Sequence, residues 1–350
     1  MASARQLSSN SGSVINVSAV FSAPPREIYR FPVGLDLPPS PPAGSLFAAS
    51  FATLLDIRVP ITIATVYATA VHVLNRSRGG PNSQPTRFAR TKLFRWLVIA
   101  HNMFLCVYSA WTCVGMMTAI MRTVLESSRM APRGSSGMWR GLCSLSDGLW
   151  EHGLSYYGFL FYLSKFYEVV DTAIILAKGK KSSLLQTYHH AGAMLSMWAG
   201  IRFASPPIWV FVVFNSLIHT LMYLYYTLSG LHVPVPKAVK RALTTAQICQ
   251  FVFGGSLASM HLFVSYFDPG LGQYTACMTD AGQSFALFFI LLYLTPLTYL
   301  FVSFWIDSYM QRGNKARKGG GPGKVEGKMR MAETETLVEQ AADRIIDSQE

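Results

Sequence analysis

Charge is what this 350-residue sequence has least of: 14% of its residues are Asp, Glu, Lys or Arg, against 51% that are apolar. Mean hydropathy is +0.28. A water-soluble globule of this length needs more charge to cover its surface, so the composition excludes that class and points to a membrane protein. Cysteine is sparse as well, five residues with no CxxC pair, which excludes a zinc ribbon and a disulfide-dense scaffold. No long basic run exists between the apolar segments: the net charge of +12 comes from short clusters and from the C-terminal tail. That distribution follows the positive-inside rule and not a nucleic-acid surface. Residues 1–45, rich in Ser and Pro, lack any helical period and are expected to form a disordered extension. They also lack the basic n-region and compact apolar run of a cleavable signal, so the first spanning helix is expected to target the chain.

What is present is a series of apolar stretches, each close to the ~20 helical residues that cross ~30 Å of hydrocarbon. They fall at 58–75, 94–118, 154–177, 184–203, 207–229, 241–265 and 282–306. The expectation is an all-α integral membrane protein, with seven transmembrane helices in residues 46–310 and a basic, then acidic, tail at 311–350. The apolar run 46–55, interrupted by Asp56 and Arg58, leaves a longer, tilted or re-entrant first element as an alternative. If the spans alternate, the clusters around Arg76–Lys92, Lys178–Lys181 and Lys237–Arg241 share one side with the basic tail. The N-terminus is then expected to be lumenal and the C-terminus cytosolic. On that topology Cys143 and Cys277 are the two cysteines that face an oxidising lumen, and a disulfide between them is expected, with two free thiols as the alternative.

Ionisable groups at membrane depth are costly, and by default they mark a pathway or a site. The third span carries Lys165, Glu168, Asp171 and Thr172 along one face. The bland reading of the first two is a self-neutralising pair that locks the bundle. The fourth span opens with Gln186, His189 and His190, and the fifth places Asn215, His219, Met222 and Tyr226 on a narrow face beside Tyr223. Thr244, Gln247 and Gln250 follow on the sixth. At 1.5 Å of rise per residue these groups reach similar depths, so they are expected to form one polar chamber near the cytosolic leaflet. Lys178, Lys181 and their basic neighbours would ring its mouth and suit a large anionic substrate such as a nucleotide-phosphate carrier.

These motifs, Lys165-Phe-Tyr-Glu168-Val-Val-Asp171-Thr172, the box 186–190, Asn215-x3-His219-x2-Met222-Tyr223-x-Tyr225-Tyr226 and Thr244-x2-Gln247-x2-Gln250, resemble those of the ELO fatty-acid elongases in order and spacing. The resemblance runs from about residue 58 to 306. That family comprises multi-spanning 3-oxoacyl-CoA synthases of the endoplasmic reticulum. Its box usually reads HxxHH, whereas Gln186 stands first here, as in a minor branch that includes some polyunsaturated-acyl elongases. Glutamine takes no proton near neutral pH, and its expected role is to orient His189 or His219.

The resemblance implies condensation of a long-chain acyl-CoA with malonyl-CoA, giving a 3-oxoacyl-CoA two carbons longer, CO2 and CoA, with no metal and no cofactor beyond the substrates. It implies membrane lipids, the reductases and dehydratase of an elongation cycle and a second copy of the chain as partners, and no nucleic acid. His189 is the expected nucleophile, giving an acyl-imidazole, with His219 as base or thioester holder and His190 as acid–base partner. Asp171 is expected to orient a histidine, and Asn215 and Gln186 to donate to an oxyanion or enolate. Lys165, with Lys178 and Lys181, would hold CoA phosphates, and Glu168, Met222, Tyr223, Tyr226 and Gln247 would complete the substrate site. Cys249 is a rival nucleophile. Spans two to seven would surround the chamber and an acyl tunnel, the tunnel lying along Phe251, Gly254, Gly255 and Ala258; the alternative there is close helix packing through small residues.

Two other classes compete. A di-iron desaturase or hydroxylase needs many imidazole ligands, yet only one adjacent pair exists among eight histidines, and His72, His101, His152, His232 and His261 stand alone. A seven-helix receptor or transporter accounts for the spans but not for four polar motifs crowded at one leaflet.

Overall fold

The computed structural model describes residues 20–32, 34, 36–40, 48–78, 83–131 and 137–311. The expected tail beyond residue 311, and residues 1–19, 33, 35 and 41–45 of the expected extension, lie outside the described residues. From the N-terminus, strand β1 (Val20–Phe21) precedes the short α1 (Phe51–Leu54), α2 (Arg58–Asn75), α3 (Lys92–Met130) and α4 (Gly137–Cys143). Next come α5 (Ser155–Tyr167), α6 (Val169–Ala177), α7 (Leu184–Arg202), α8 (Ile208–Gly230) and α9 (Lys237–Met260). A hairpin of β2 (Val264–Asp268) and β3 (Gln273–Ala276) leads into α10 (Ala281–Trp305).

The apolar stretches fold as helices, with three differences from the expected bounds. The second runs on to 39 residues, because the sequence beyond 118 contains helix formers and no Gly or Pro up to Met130. Its start is capped by the Thr91 hydroxyl, which accepts from the Phe94 N–H at 3.1 Å. The stretch 154–177 divides at Glu168, where a bond from Asp171 N to Glu168 O tightens the chain into a three-residue turn. Residues 264–265, expected to end the sixth span, instead begin β2, which pairs antiparallel with β1 on one side and β3 on the other. The run Val264-Ser-Tyr-Phe suits an extended pleat. Lys92–Met130, Ile208–Gly230 and 281–310 are each long and apolar enough to cross a membrane. In α7 and α9 polar residues dilute the apolar run, and in α5 and α6 the turn at Glu168 shortens it.

The main core lies where α3, α5, α7, α8 and α10 meet, and it buries Met116, Phe159, Tyr162, Ile201, Val212 and Ile290. α3 packs chiefly along α8. Its inward face carries Ser109, Thr112 and Thr123, while Trp96, Phe104, Val107, Val114 and Met121 point outward. An exposed apolar surface of this extent is what contact with lipid requires.

Part of the stretch expected to be disordered is packed. Val20 and Phe21 register with Ser265 and Val264, and Ile28, 1% exposed, joins Ala258, Leu262, Met278 and Leu287 in a small cluster. Tyr29 stacks on Phe288, and Phe31 meets Phe285 edge-on. A few apolar side chains in a Ser- and Pro-rich stretch do not show in its composition, yet Ile28, Tyr29 and Phe31 find partners on α9 or α10.

Cys143, at the end of α4, is joined to Cys277, just after β3, by a disulfide with Cα atoms 5.0 Å apart. It ties the segment after α3 to the hairpin before α10. The double substitution Cys143→Ser/Cys277→Ser is expected to lower stability by about 2–5 kcal/mol. The check is the unfolding temperature in detergent, which should fall on adding reductant to the wild type and not respond in the variant.

Candidate active site

α5 to α9 turn their polar faces toward one another. Between α6, α7, α8, α9 and α10 lies a chamber lined by Asp171 from α6, Gln186, His189 and His190 from α7, Asn215, His219, Met222, Tyr223 and Tyr226 from α8, Lys240, Thr244, Gln247 and Gln250 from α9, and Phe301 and Phe304 from α10. A second, smaller cavity continues from it between α5, α7, α8, α9 and α10, walled by Lys165, Ala193, Met197, Val210, Phe214, Gly254, Ile290 and Leu294. His189, Asn215, Gln250 and Phe251 line both cavities. His189 therefore stands where a polar chamber turns into an apolar tunnel.

The helical period explains the convergence. On α7 residues 186, 189 and 190 lie within one turn, and on α8 residues 215, 219, 222 and 226 follow steps of three and four. The three imidazoles stack loosely: ring centroids are 5.4 Å apart for His189 and His190, and 6.3 Å for His189 and His219. His189 Nδ1 lies 2.9 Å from the Tyr293 hydroxyl of α10, which itself donates to the His189 carbonyl at 3.1 Å. His190 Nδ1 is buried with no hydrogen-bond partner. Gln247 donates its amide to the Met222 sulfur at 3.7 Å.

Several expected roles need correction. Lys165 does not reach out to phosphate: it is 2% exposed, donates to Glu168 Oε1 at 2.6 Å and to Asn215 Oδ1 at 3.0 Å, and sits over the Phe161 ring. The turn at Glu168 holds that carboxylate equally buried, 3.8 Å from His219 Nδ1. Buried in this way each charge depends on the other, and Lys165 spends its ammonium on Glu168 and Asn215 while its side chain also lines the second cavity. Because Asn215 accepts from Lys165 through its oxygen, its amide N–H2 is left for the chamber.

Asp171 does orient a histidine, but not one of the box. It accepts from Nε2–H of His101, on α3, at 2.8 Å and from the Tyr223 hydroxyl at 2.6 Å, while His101 Nδ1 faces the Tyr167 hydroxyl at 3.1 Å. Gln186 was expected to orient His189 or His219; its amide instead donates to Thr172 Oγ1 at 3.3 Å, and Thr172 also bonds the Tyr67 hydroxyl at 2.8 Å. Lys178 and Lys181 do not line the chamber, whereas Lys240 does. Burial, with Lys180 adding repulsion, pushes the Lys178 ammonium down to about 8. Cys249 is exposed and lies outside both cavities.

Two residues of the site went unmarked by sequence. His101 is isolated in a long apolar helix, and its only signal is being ionisable at that depth. Tyr293 lies in an ordinary aromatic and aliphatic run of α10 with no motif around it.

The profile of the ELO: GNS1/SUR4 family matches residues 52–317, a stretch that contains all four polar motifs and both cavities. The chain is 25% identical over 229 residues to Fatty acid elongase 2 of Trypanosoma brucei brucei, covering 65% of this chain and 79% of that protein. It is 29% identical over 223 residues to Fatty acid elongase A of Dictyostelium discoideum, covering 62% and 73%. Over 157 residues it is 35% identical to Very long chain fatty acid elongase 1 of Mus musculus, covering 43% and 51%. No solved structure matches the chain. With three quarters of its length under the family profile, the chain belongs to the ELO, or GNS1/SUR4, family.

Proposed function

We propose that this protein is a fatty acid elongase that condenses a long-chain acyl-CoA with malonyl-CoA into a 3-oxoacyl-CoA two carbons longer, releasing CO2 and CoA. The observation that carries the site assignment is the place of His189 at the junction of chamber and tunnel. An acyl chain in the tunnel brings its thioester to that imidazole, and the CoA moiety occupies the chamber toward Lys240. The Nε2 lone pair of His189 attacks the thioester carbonyl, the C–S bond breaks, and CoA leaves as the thiolate, which takes a proton from water. The Asn215 amide is placed to donate to the oxyanion of that step. Loss of CO2 from malonyl-CoA leaves an enolate whose carbon attacks the acyl carbonyl. The C–N bond breaks and the imidazole is restored. His219, facing His189 across the chamber, holds the second thioester, and His190 stands behind it. No cofactor beyond the two substrates enters this scheme.

The same reading places seven spans in residues 46–310 of an endoplasmic-reticulum membrane, with the N-terminal extension lumenal and the basic and acidic tail cytosolic. The Cys143–Cys277 bond supports an oxidising compartment at its end of the bundle, and the lysine and arginine clusters support a cytosolic side at the other. The reductases and dehydratase of an elongation cycle, and a second copy of the chain, are the partners this reading calls for.

The test is to incubate purified protein with a panel of acyl-CoAs and labelled malonyl-CoA. A labelled 3-oxo product two carbons longer is expected; no product from any acyl-CoA, with the bundle folded, overturns the reading. The tunnel adds a prediction about length. A Cβ on Gly254 would meet Val210 Cγ1 at 3.6 Å and Phe214 Cδ2 at 3.7 Å, so a methyl fits. Gly254→Ala is expected to keep the wild-type product range, whereas the longer side chain of Gly254→Leu enters the tunnel and shortens the longest product by at least one two-carbon cycle. Product lengths read by mass spectrometry decide this.

A further inference from the structure

Two contacts between His189 and Tyr293 bear on where the imidazole proton lies. Tyr293 has one hydroxyl proton and two groups in reach of it: the His189 carbonyl at 3.1 Å, which can only accept, and His189 Nδ1. With that proton on the carbonyl, the same oxygen is an acceptor toward His189 Nδ1, 2.9 Å away, and pairs with the tautomer that carries Nδ1–H. A neutral imidazole with Nδ1–H keeps its Nε2 lone pair, and no atom among the described residues bonds Nε2. His190 and His219 have no such lock: His190 Nδ1 is unpartnered, and His219 Nδ1 lies 3.8 Å from its nearest carboxylate oxygen.

The position of Tyr293 is itself constrained. Its ring lies flat on the α7 backbone at Gly192, where a Cβ would overlap the ring edge. Tyr188 stacks on it, with centroids 5.6 Å apart, and donates its hydroxyl to the Tyr293 carbonyl at 3.2 Å. Three residues on, Pro296 lacks the N–H that would hold the preceding turn of α10, and this leaves that turn to be secured from α7.

We propose that Tyr293 is a positioning residue for the condensation: by accepting from Nδ1–H it holds His189 in the tautomer whose Nε2 attacks the thioester. This rests on the reading of His189 as the nucleophile. When Nε2 becomes acylated, the ring retains its Nδ1 proton and is an acyl-imidazolium cation, a better electrophile for the enolate than a neutral acyl-imidazole. The Tyr293 oxygen then makes a charge-assisted bond to it. Enolate attack breaks the C–N bond, returns the electron pair to Nε2 and restores the neutral ring with its proton still on Nδ1.

The experiment uses full-length protein in detergent with 15N-labelled histidine, His189→Ala serving to assign the His189 resonances. Expected without substrate is a protonated Nδ1 and a bare Nε2 at His189 in the wild type, and loss of that single tautomer in Tyr293→Phe. The rate of the single-turnover CoA burst from acyl-CoA alone, which reports acylation, should fall roughly 10- to 100-fold in Tyr293→Phe, with the acyl-CoA concentration that gives half the maximal burst rate unchanged. A hydrogen on Nε2 in the wild type overturns the inference, as does a Tyr293→Phe protein with an unchanged tautomer or an unchanged burst rate. The wild-type spectrum decides the tautomer even if the variant fails to fold. Absence of acyl mass on wild-type protein would instead overturn the nucleophile assignment, whatever the tautomer.

Discussion

His189→Ala is expected to lower 3-oxoacyl-CoA formation by at least about a thousandfold and to leave no acyl mass on the protein. The loss is large because the same ring supplies both the nucleophile and the leaving group, and no cysteine lines either cavity to replace it. His219→Ala separates the steps. Its ring sits on α8 across the chamber, 6.3 Å from that of His189 by centroid, so the variant is expected to retain acyl mass and CoA release while losing most condensation. Intact-mass analysis after mixing with acyl-CoA alone gives the first readout, and labelled malonyl-CoA gives the second. Acyl mass retained in His189→Ala, or a rate within about tenfold of wild type, would remove His189 from the nucleophile's role.

The second large effect concerns stability. Lys165 and Glu168 are each 2% exposed and bonded at 2.6 Å, so Lys165→Met or Glu168→Leu alone leaves an unmatched charge inside the bundle, at a cost of about 3–5 kcal/mol. The double variant Lys165→Met/Glu168→Leu removes both charges and is expected to recover most of that loss. Activity should not recover with it. Asn215 then loses the ammonium that fixes its amide, and His219 loses the carboxylate beside it. Thermal unfolding of the four proteins in one detergent decides the point. Single variants that melt with the wild type would show that the pair does not hold the frame.

The candidate site was legible in sequence to the extent that it depends on one helix at a time. Asn215, His219, Met222 and Tyr226 were read as one face because three- and four-residue steps bring side chains onto one stripe of any α-helix, and all four line the chamber. Polar residues in an apolar stretch were enough to mark the faces, because their burial without function is costly. What those faces bond was not legible. Lys165 looked like a phosphate ligand until Asn215, 50 residues on, was found within 3.0 Å. From sequence Asp171 is expected to orient a histidine, with no sign of which, and the structure pairs it with His101 of α3. Gln186 lies on the predicted face, yet Thr172 takes its amide.

By itself the sequence determined the class of the protein, the helical stretches, the stripes of polar residues and the family motifs they form, since all of these rest on composition and on spacing within a few residues. Only the tertiary structure decided which stripe meets which, that the two cavities meet at His189, that Ile28 of the N-terminal stretch is buried against α9 and α10, and that Tyr293 stands against His189. The reason is physical: these contacts join groups far apart along the chain, 104 residues in the last case, and their pairing is set by how whole helices pack. No local period carries that information.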